Sequence, residues 1–189
     1  MTTTVLDIAE AADLVAKSRR IVVTGCSGSG KSTLSTALSR RFSLPYISLD
    51  RDVFWLPGWR LRPREEAIEL MTAHAQGERW IMDGNSPRTM NIRLNRADLV
   101  IWLRPPRHVS VSGILRRWWR YRGTVRPGMP EGCPEKIDWA FFSYVWNFER
   151  NEVPKFMAAF EAARADLPVV ILKSHRDTAK LLDLAGVPS

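Results

Sequence analysis

The sequence is poor in cysteine, in histidine and in long apolar runs, and each shortage narrows what the chain can be. Cys26 and Cys133 are its only cysteines, and neither has a neighbour at metal-ligand or CxxC spacing. That argues against a disulfide-stapled fold or a cysteine zinc site and suits a reducing compartment. The three histidines, His74, His108 and His175, are scattered without metal-like partners, so each reads as a satisfied surface or core residue. No apolar stretch approaches the roughly 20 residues of a membrane span. The N-terminus also lacks the charged-then-apolar layout of a signal peptide. We therefore expect a cytoplasmic protein with no membrane partner. Acidic residues are outnumbered by basic ones, giving a net charge of +8 and a sequence pI near 10.1. Such a balance suits polyanionic small ligands or a nucleic-acid surface, and charge alone does not choose between them.

At 189 residues, with 45% hydrophobic and 25% charged positions and no internal repeat or low-complexity tract, the chain suits one α/β domain over 1–189. Within it, Gly25-Cys26-Ser27-Gly28-Ser29-Gly30-Lys31-Ser32 fits the phosphate-binding pattern GxxxxGK[ST] directly after the apolar run Ile21-Val22-Val23. Glycines let successive backbone N–H groups turn inward onto the β- and γ-phosphates of a nucleoside triphosphate. Lys31 adds a point charge, and Ser32 offers a hydroxyl to Mg²⁺ with Thr33 beside it. A helix starting at Lys31 aims its positive end at the same anion. Gly25, Ser27, Gly28, Ser29, Gly30, Lys31, Ser32 and Thr33 are thus the expected nucleotide-binding residues. Cys26, inside the loop, is expected to be structural.

Five short β-branched or apolar runs read as parallel strands: Ile21 to Thr24, Tyr46 to Leu49, Trp80 to Met82, Leu99 to Leu103 and Val169 to Leu172. Helical patterns alternate with them at Lys31 to Phe42, Arg64 to Gln76, Arg107 to Tyr121, Trp139 to Ala165 and Thr178 to Leu184. An amphipathic helix over residues 5 to 17 precedes the first strand. The first four residues read as frayed. This alternation predicts a three-layer α/β sheet. Ligands of such sheets bind beyond the carboxyl ends of the strands, which directs attention to the residues following each run.

Asp83 closes the third run, where a Walker B carboxylate would orient Mg²⁺ beside Ser32; the alternative is a turn-capping aspartate. Asp50 and Asp52 follow the second run. Either they supply a base or an outer-sphere Mg²⁺ ligand near an acceptor hydroxyl or phosphate, with Asp50 as the base and Asp52 contacting the acceptor, or Asp50 pairs with Arg51 or caps the following turn. Further on, Arg116, Arg117, Arg120, Arg122 and Arg126 are interleaved with Trp118, Trp119 and Tyr121. Arg116 and Arg120 share a helix face and are the candidates for neutralising charge on a transferred phosphoryl group. A solvated basic face and a nucleic-acid patch are the competing readings. Trp118, Trp119, Trp139 and Trp146 are expected to pack beneath neighbouring helices. Residues 123–134, with three prolines and three glycines, read as a mobile, lid-like flap spanning about 122–138 that would exclude water from the γ-phosphate.

The loop GCSGSGKST, the stretch Asp83-Gly84-Asn85-Ser86-Pro87-Arg88-Thr89 and the arginine helix before a flap occur in the order found in the adenylate-kinase-like branch of P-loop kinases, which the chain resembles. Adenylate kinases carry a similar DGxPRT, one residue shorter, and by that match Arg88 would contact an acceptor or donor phosphate. The chain also resembles the small P-loop proteins catalogued as DNA topology modulation proteins. That similarity runs from Ile21 to about Lys155 and includes Leu56-Pro57-Gly58-Trp59, Thr124-Val125-Arg126-Pro127, Gly132-Cys133-Pro134-Glu135-Lys136 and Trp146-Asn147-Phe148. The resemblance implies a five-stranded sheet in the order 2-3-1-4-5, with ATP and Mg²⁺ as ligands. The segment Leu49-Asp50-Arg51-Asp52 replaces the AMP pocket of adenylate kinases. It is more similar to shikimate kinases, in which an acidic residue faces an acceptor hydroxyl. Together these readings lead us to expect an ATP- and Mg²⁺-dependent phosphotransferase acting on a small acceptor. A nucleic-acid-binding NTPase and a regulatory ATP-binding protein with little turnover are the alternatives.

Overall fold

The computed structural model describes residues 4–164 and 166–188. Its centre is a sheet of six parallel strands: β1 (Thr4–Leu6), β2 (Arg20–Gly25), β3 (Tyr46–Ser48), and, after the short pair β4 (Trp55–Leu56) and β5 (Arg60–Leu61), β6 (Trp80–Asp83), β7 (Leu99–Leu103) and β8 (Pro168–Leu172). Their spatial order is β1-β8-β7-β2-β6-β3, and β4 and β5 form a separate antiparallel hairpin. The five expected strands lie side by side in the order 2-3-1-4-5. A sixth, β1, extends the sheet by pairing with β8, Val5 opposite Val169.

This sixth strand corrects the expected helix over residues 5 to 17. Asp7 accepts hydrogen bonds from the backbone N–H groups of Ala9 and Glu10, and the Glu10 carboxylate accepts one from Asp7 N. That reciprocal capping box starts helix α1 (Ile8–Lys17) three residues later than the apolar pattern suggested, leaving Thr4 to Leu6 extended. Residues 1–3 of the expected frayed start lie outside the described residues.

Helices cover both faces of the sheet. Alternation along each strand divides the core: Ile21, Val23, Ile101 and Leu103 face α1, α2 (Lys31–Phe42) and α9 (His175–Leu184), where Val15, Leu34, Leu38 and Leu181 are fully buried. Val22, Met82, Val100 and Trp102 face the other way, toward α3 (Arg64–Gln76), α4 (Met90–Leu94) and α5 (Arg107–Tyr121). The expected helix from Trp139 is three: α6 (Trp139–Trp146), α7 (Phe148–Asn151) and α8 (Val153–Glu161). Asn147 turns its amide back onto Ser143 O at 3.0 Å. Pro154 lacks an N–H and is tolerated only in a helix's first turn, so a new helix begins there. Ala165, at the end of the expected span, is not among the described residues. From these short helices Phe156 and Phe160 pack against Trp102, and Phe148 packs on Phe156.

The expected burial of the tryptophans is corrected for three of four. Trp119 is 70% exposed, Trp139 80% and Trp146 45%. On α6 the rings of Trp139, Phe142 and Trp146 instead stack on one another at 5.6 and 6.0 Å along the outer face.

Candidate active site

The carboxyl ends of β2, β3 and β6 converge, and the chain leaves each by a tight turn. After β2, residues 26–30 form the loop that feeds α2. At Gly28, φ is +85°, and an added Cβ would lie 2.2 Å from Ser110 O on α5. The reciprocal contact is as close, since a Cβ on Gly113 would lie 2.1 Å from Gly28 O. Two glycines therefore let the loop and α5 touch backbone to backbone. Lys31 lies back over the loop and donates to Cys26 O at 3.1 Å. Cys26 is buried, and that burial raises its thiol pKa against the opposing charge of Lys31, which fits a space-filling residue.

Ser32 Oγ donates to Asp83 Oδ2 at 2.6 Å, and Tyr46 Oη donates to the same oxygen at 3.1 Å. Asp83 Oδ1 is buried and has no hydrogen-bond partner among the described residues. Burial raises the Asp83 pKa; Lys31 and the Ser32 hydrogen bond oppose the rise, and Asp50 adds to it. A carboxylate oxygen and a hydroxyl side by side, with one oxygen unmet, match the oxygen donors that Mg²⁺ takes from a protein, alongside phosphate and water. The side chains present therefore fit that ion. Burial, and then Asp83 as a neighbouring negative charge, also push the Tyr46 phenol up.

The turn after β6 is fastened to the phosphate loop by Asn85. Its Oδ1 accepts from Thr24 Oγ1 at 3.0 Å and Gly25 N at 3.1 Å, while Nδ2 donates to Gly25 O at 2.6 Å and to Tyr144 Oη at 3.2 Å. Beneath the same turn, fully buried Arg93 donates through Nη1 to Gly84 O at 3.2 Å. With no carboxylate among its bonded partners, its pKa falls with burial to about 10. Sequence reasoning assigned neither residue a role. Asn85 carried a signal, its place right after Asp83-Gly84, whereas Arg93 in Met90-Asn91-Ile92-Arg93-Leu94 carried none.

After β3 the chain makes a π-helical turn, Leu49–Phe54, of the kind that often marks functional sites. Asp52 is engaged on both oxygens by Arg51, at 2.7 Å each, and one of them also accepts from Ser48 N at 2.8 Å. Asp50 is half exposed, with Oδ2 3.5 Å from Arg126 Nη2. Arg88 is exposed on the short 3₁₀ turn Pro87–Thr89.

On α5, Arg116, Arg117 and Arg120 stand three, four and seven residues beyond Gly113, on the side that meets the loop. Arg116 and Arg120 are exposed, and neither makes an ion pair among the described residues. Arg117 is turned inward, and its Nε donates to Glu135 Oε1 at 2.7 Å. Arg126 reaches the other oxygen of the same buried carboxylate, its Nε 2.9 Å from Oε2. Sequence reasoning did not single out Glu135, since nothing in Gly132-Cys133-Pro134-Glu135-Lys136 marks a buried acid. Residues 122–138 are seated on the β4–β5 hairpin: Gly58 N donates to Glu131 O, Trp59 N to Cys133 Sγ and Trp59 Nε1 to Pro134 O.

With this geometry in view, two solved structures are informative. A shikimate kinase from Acinetobacter baumannii, in complex with shikimate, superposes with a TM-score of 0.57 and 11% identity, over 92% of this chain and 94% of that one. A shikimate kinase from Bacteroides thetaiotaomicron gives 0.51 and 18%, over 89% and 99%. The chain has the fold of the P-loop kinases. At such identities the likeness is one of fold. No protein-family model matches the chain, and no curated protein matches it. Among the described residues, no helix is long and apolar enough to cross a membrane.

Proposed function

We propose that this chain is an ATP- and Mg²⁺-dependent phosphotransferase that moves the γ-phosphoryl group to a small acceptor. The observation that carries the reading is the pairing of the Gly25–Ser32 loop with Asp83, whose buried Oδ1 lacks a partner while Oδ2 holds Ser32 Oγ at 2.6 Å. In this reading the loop N–H groups beyond Gly25, as far as Thr33, and the Lys31 ammonium hold the β- and γ-phosphates, while Gly25 turns the chain into the loop with its own N–H on Asn85. Lys31 exchanges its present bond to Cys26 O for phosphoryl oxygens. Ser32 and Asp83 hold Mg²⁺, which when bound neutralises phosphate charge. Asp50 faces the acceptor hydroxyl as its base. Arg88 and Asp52 bound the acceptor pocket, Asp52 through the Arg51 side chain that it fixes. Arg116 and Arg120 are exposed and make no ion pair among the described residues, so they are placed to meet anionic charge entering the cleft. The flap, about 122–138, moves to exclude water. Catalysis of this kind is mostly positioning and charge stabilisation.

A second reading, a nucleic-acid-binding NTPase of the DNA topology modulation type, draws on one observation. Exposed Trp119 carries the Arg122 guanidinium 5.0 Å above its ring, and exposed Trp146 carries that of Arg107 at 5.0 Å. Rings and guanidiniums of this sort stack on unpaired bases. One experiment separates the two: transfer from γ-labelled ATP with Mg²⁺ across a panel of nucleotides, nucleosides, sugars and hydroxy acids, with DNA alone as a further arm and Lys31→Ala in parallel. The phosphotransferase reading expects a labelled small product that disappears in Lys31→Ala. Phosphate release that requires DNA would replace it with the second reading, and an unimpaired Lys31→Ala would overturn the site assignment.

A further inference from the structure

Among the described residues two side chains donate to Asp83, and both meet the same oxygen. Ser32 Oγ reaches Oδ2 from the start of α2 at 2.6 Å, and Tyr46 Oη reaches it from β3 at 3.1 Å. Tyr46 does so from further off. In the parallel register Ser48 stands opposite Asp83, whereas Tyr46 stands opposite Ile81, two residues or about 6.6 Å lower along the strand. The nearer hydroxyl, that of Ser48, donates instead to Gly128 O in the flap at 3.4 Å. Tyr46 and Ser48 point to one face of the sheet, and the length of the phenol is what brings the more distant hydroxyl up to the carboxylate. The Tyr46 ring is held where it lies. It packs against the core on the α2 side, and the Arg51 guanidinium sits 5.7 Å from its centroid, with Nη2 donating to Tyr46 O at 3.5 Å. Arg51 is in turn fixed by both oxygens of Asp52.

This arrangement leaves the two oxygens of Asp83 unlike. Oδ2 carries both hydroxyls, and Oδ1 is buried without a hydrogen-bond partner among the described residues. One donor alone would let the carboxylate rock about a single bond, whereas two donors from separate elements fix its plane and so the direction of Oδ1. The two are not equivalent when Mg²⁺ is bound, because Ser32 Oγ is then a ligand and follows the ion. Tyr46 is the tether that keeps its partner. We propose that Tyr46 is a positioning residue of the metal site, its hydroxyl holding Asp83 with Oδ1 turned to Mg²⁺. A hydrogen bond behind a metal ligand typically carries about 10- to 100-fold in metal affinity. The inference rests on the Ser32–Asp83 reading above and adds to it the residue that aims the carboxylate.

The test is calorimetric affinity for ATP in excess Mg²⁺ and in EDTA, which needs no acceptor, on the full chain and on Tyr46→Phe, Tyr46→Met, Asp83→Asn, Tyr46→Phe/Asp83→Asn and Lys31→Ala. The ratio of the two affinities isolates what the metal site contributes. Tyr46→Phe deletes one oxygen and keeps the ring beneath Arg51. Tyr46→Met fills the space with an adaptable apolar chain should Tyr46→Phe fail to fold. We expect each to lower the ratio roughly 10-fold, with metal-free ATP affinity within about 3-fold of the parent. The double variant should match Asp83→Asn alone, since Tyr46 acts through that carboxylate. A merely structural hydroxyl would weaken ATP with and without Mg²⁺ alike, or move only the melting temperature, and either result overturns the role. So does a double variant well below Asp83→Asn. An unchanged ratio in Asp83→Asn, or unchanged metal-free affinity in Lys31→Ala, would instead overturn the underlying site assignment, and the Tyr46 role would fall with it.

Discussion

Gly113→Ala is the substitution whose sign the structure fixes most sharply. Gly113 lies inside α5, where replacing glycine by alanine ordinarily favours the folded state by about 1 kcal/mol. Here the added Cβ would meet Gly28 O at 2.1 Å, while ordinary van der Waals contact begins at 3.4 Å, a deficit of about 1.3 Å. The atom it meets is backbone, at a residue whose own Cβ position is closed off by Ser110 O, so no side chain can swing aside. Relief requires α5 and the loop to separate. Overpacking of this kind costs about 1–3 kcal/mol, which outweighs the helix-propensity gain and leaves a net loss of about 1 kcal/mol.

The same displacement reaches function, since a shift of about 1 Å in a phosphate-holding loop costs on the order of 10- to 100-fold in binding or turnover. Urea denaturation and MgATP calorimetry on Gly113→Ala would measure both effects, with Ser112→Ala as the control. Ser112 is the preceding residue of α5, exposed, with its hydroxyl bonded only to Val109 O of its own helix. Its substitution should change stability by no more than about 0.5 kcal/mol. A Gly113→Ala protein stabilised by about 1 kcal/mol, with MgATP affinity unchanged, would refute the loop–helix contact as drawn.

Three further outcomes follow from the same geometry. Asn85→Ala removes four hydrogen bonds that fasten the β6 turn to Thr24, Gly25 and Tyr144 and should cost about 1–3 kcal/mol in urea melts, with weakened MgATP binding. Asp98 is pulled two ways: partial burial pushes its pKa up, but hydrogen bonds from the Arg20 guanidinium and from Arg19 and Arg20 N–H outweigh it and hold the pKa below the usual carboxylate value. A folded-state pKa below the unfolded one gives stability that is present above the unfolded value and lost as pH falls through the folded one. Asp98→Asn should therefore destabilise by about 1–2 kcal/mol near neutrality and by progressively less as acid protonates Asp98 in the parent, a convergence that denaturation at a series of pH values would reveal. Trp139→Ala, at an 80% exposed ring, should leave the melting midpoint within about 0.5 kcal/mol of the parent, and a larger loss would mean that the α6 stack is structural.

What the sequence could reveal divides along a physical line. Local signals were legible: α2, α3 and α5 begin and end where their apolar periods and flanking glycine or proline place them, and the five central strands follow from β-branched runs between turns. The GKS loop and Asp83 were legible because their chemistry demands residue types at fixed spacing. Two signals were overlooked, the Asp7–Glu10 capping box and Pro154 in a first helical turn, and both were present in the residues. The rest was not local. Arg117 and Arg120 are indistinguishable in the string Arg116-Arg117-Trp118-Trp119-Arg120, and Arg117 is turned inward only because a carboxylate 18 positions away receives it. Asp50 and Asp52 likewise look equivalent, yet Arg51 takes both oxygens of Asp52 and leaves Asp50 to the flap.

The flap's own bonds decide how it could move. Glu135 N donates to Thr124 O at 2.9 Å, and Arg122 bridges Glu135, so the residues between are closed at a neck and travel as one loop. The tip of that loop is tied to the β4–β5 hairpin through Gly58, Trp59 and Cys133, and the hairpin is fastened in turn to the π-helical turn by Arg62, whose N donates to Phe54 O and whose Nε donates to Val53 O. The α5 side is fixed, because Gly113 leaves no room to slide against Gly28. A pivot must then lie between the end of α5 and the neck, where Gly123 has φ of +74° and open space around it. At the other end it must lie near Asp138, whose side chain caps α6. A loop pivoting there carries Arg126 but not Arg117. Glu135 lies within that loop and travels with Arg126, so such a motion parts the Arg117–Glu135 hydrogen bond, the tie that holds the loop to α5.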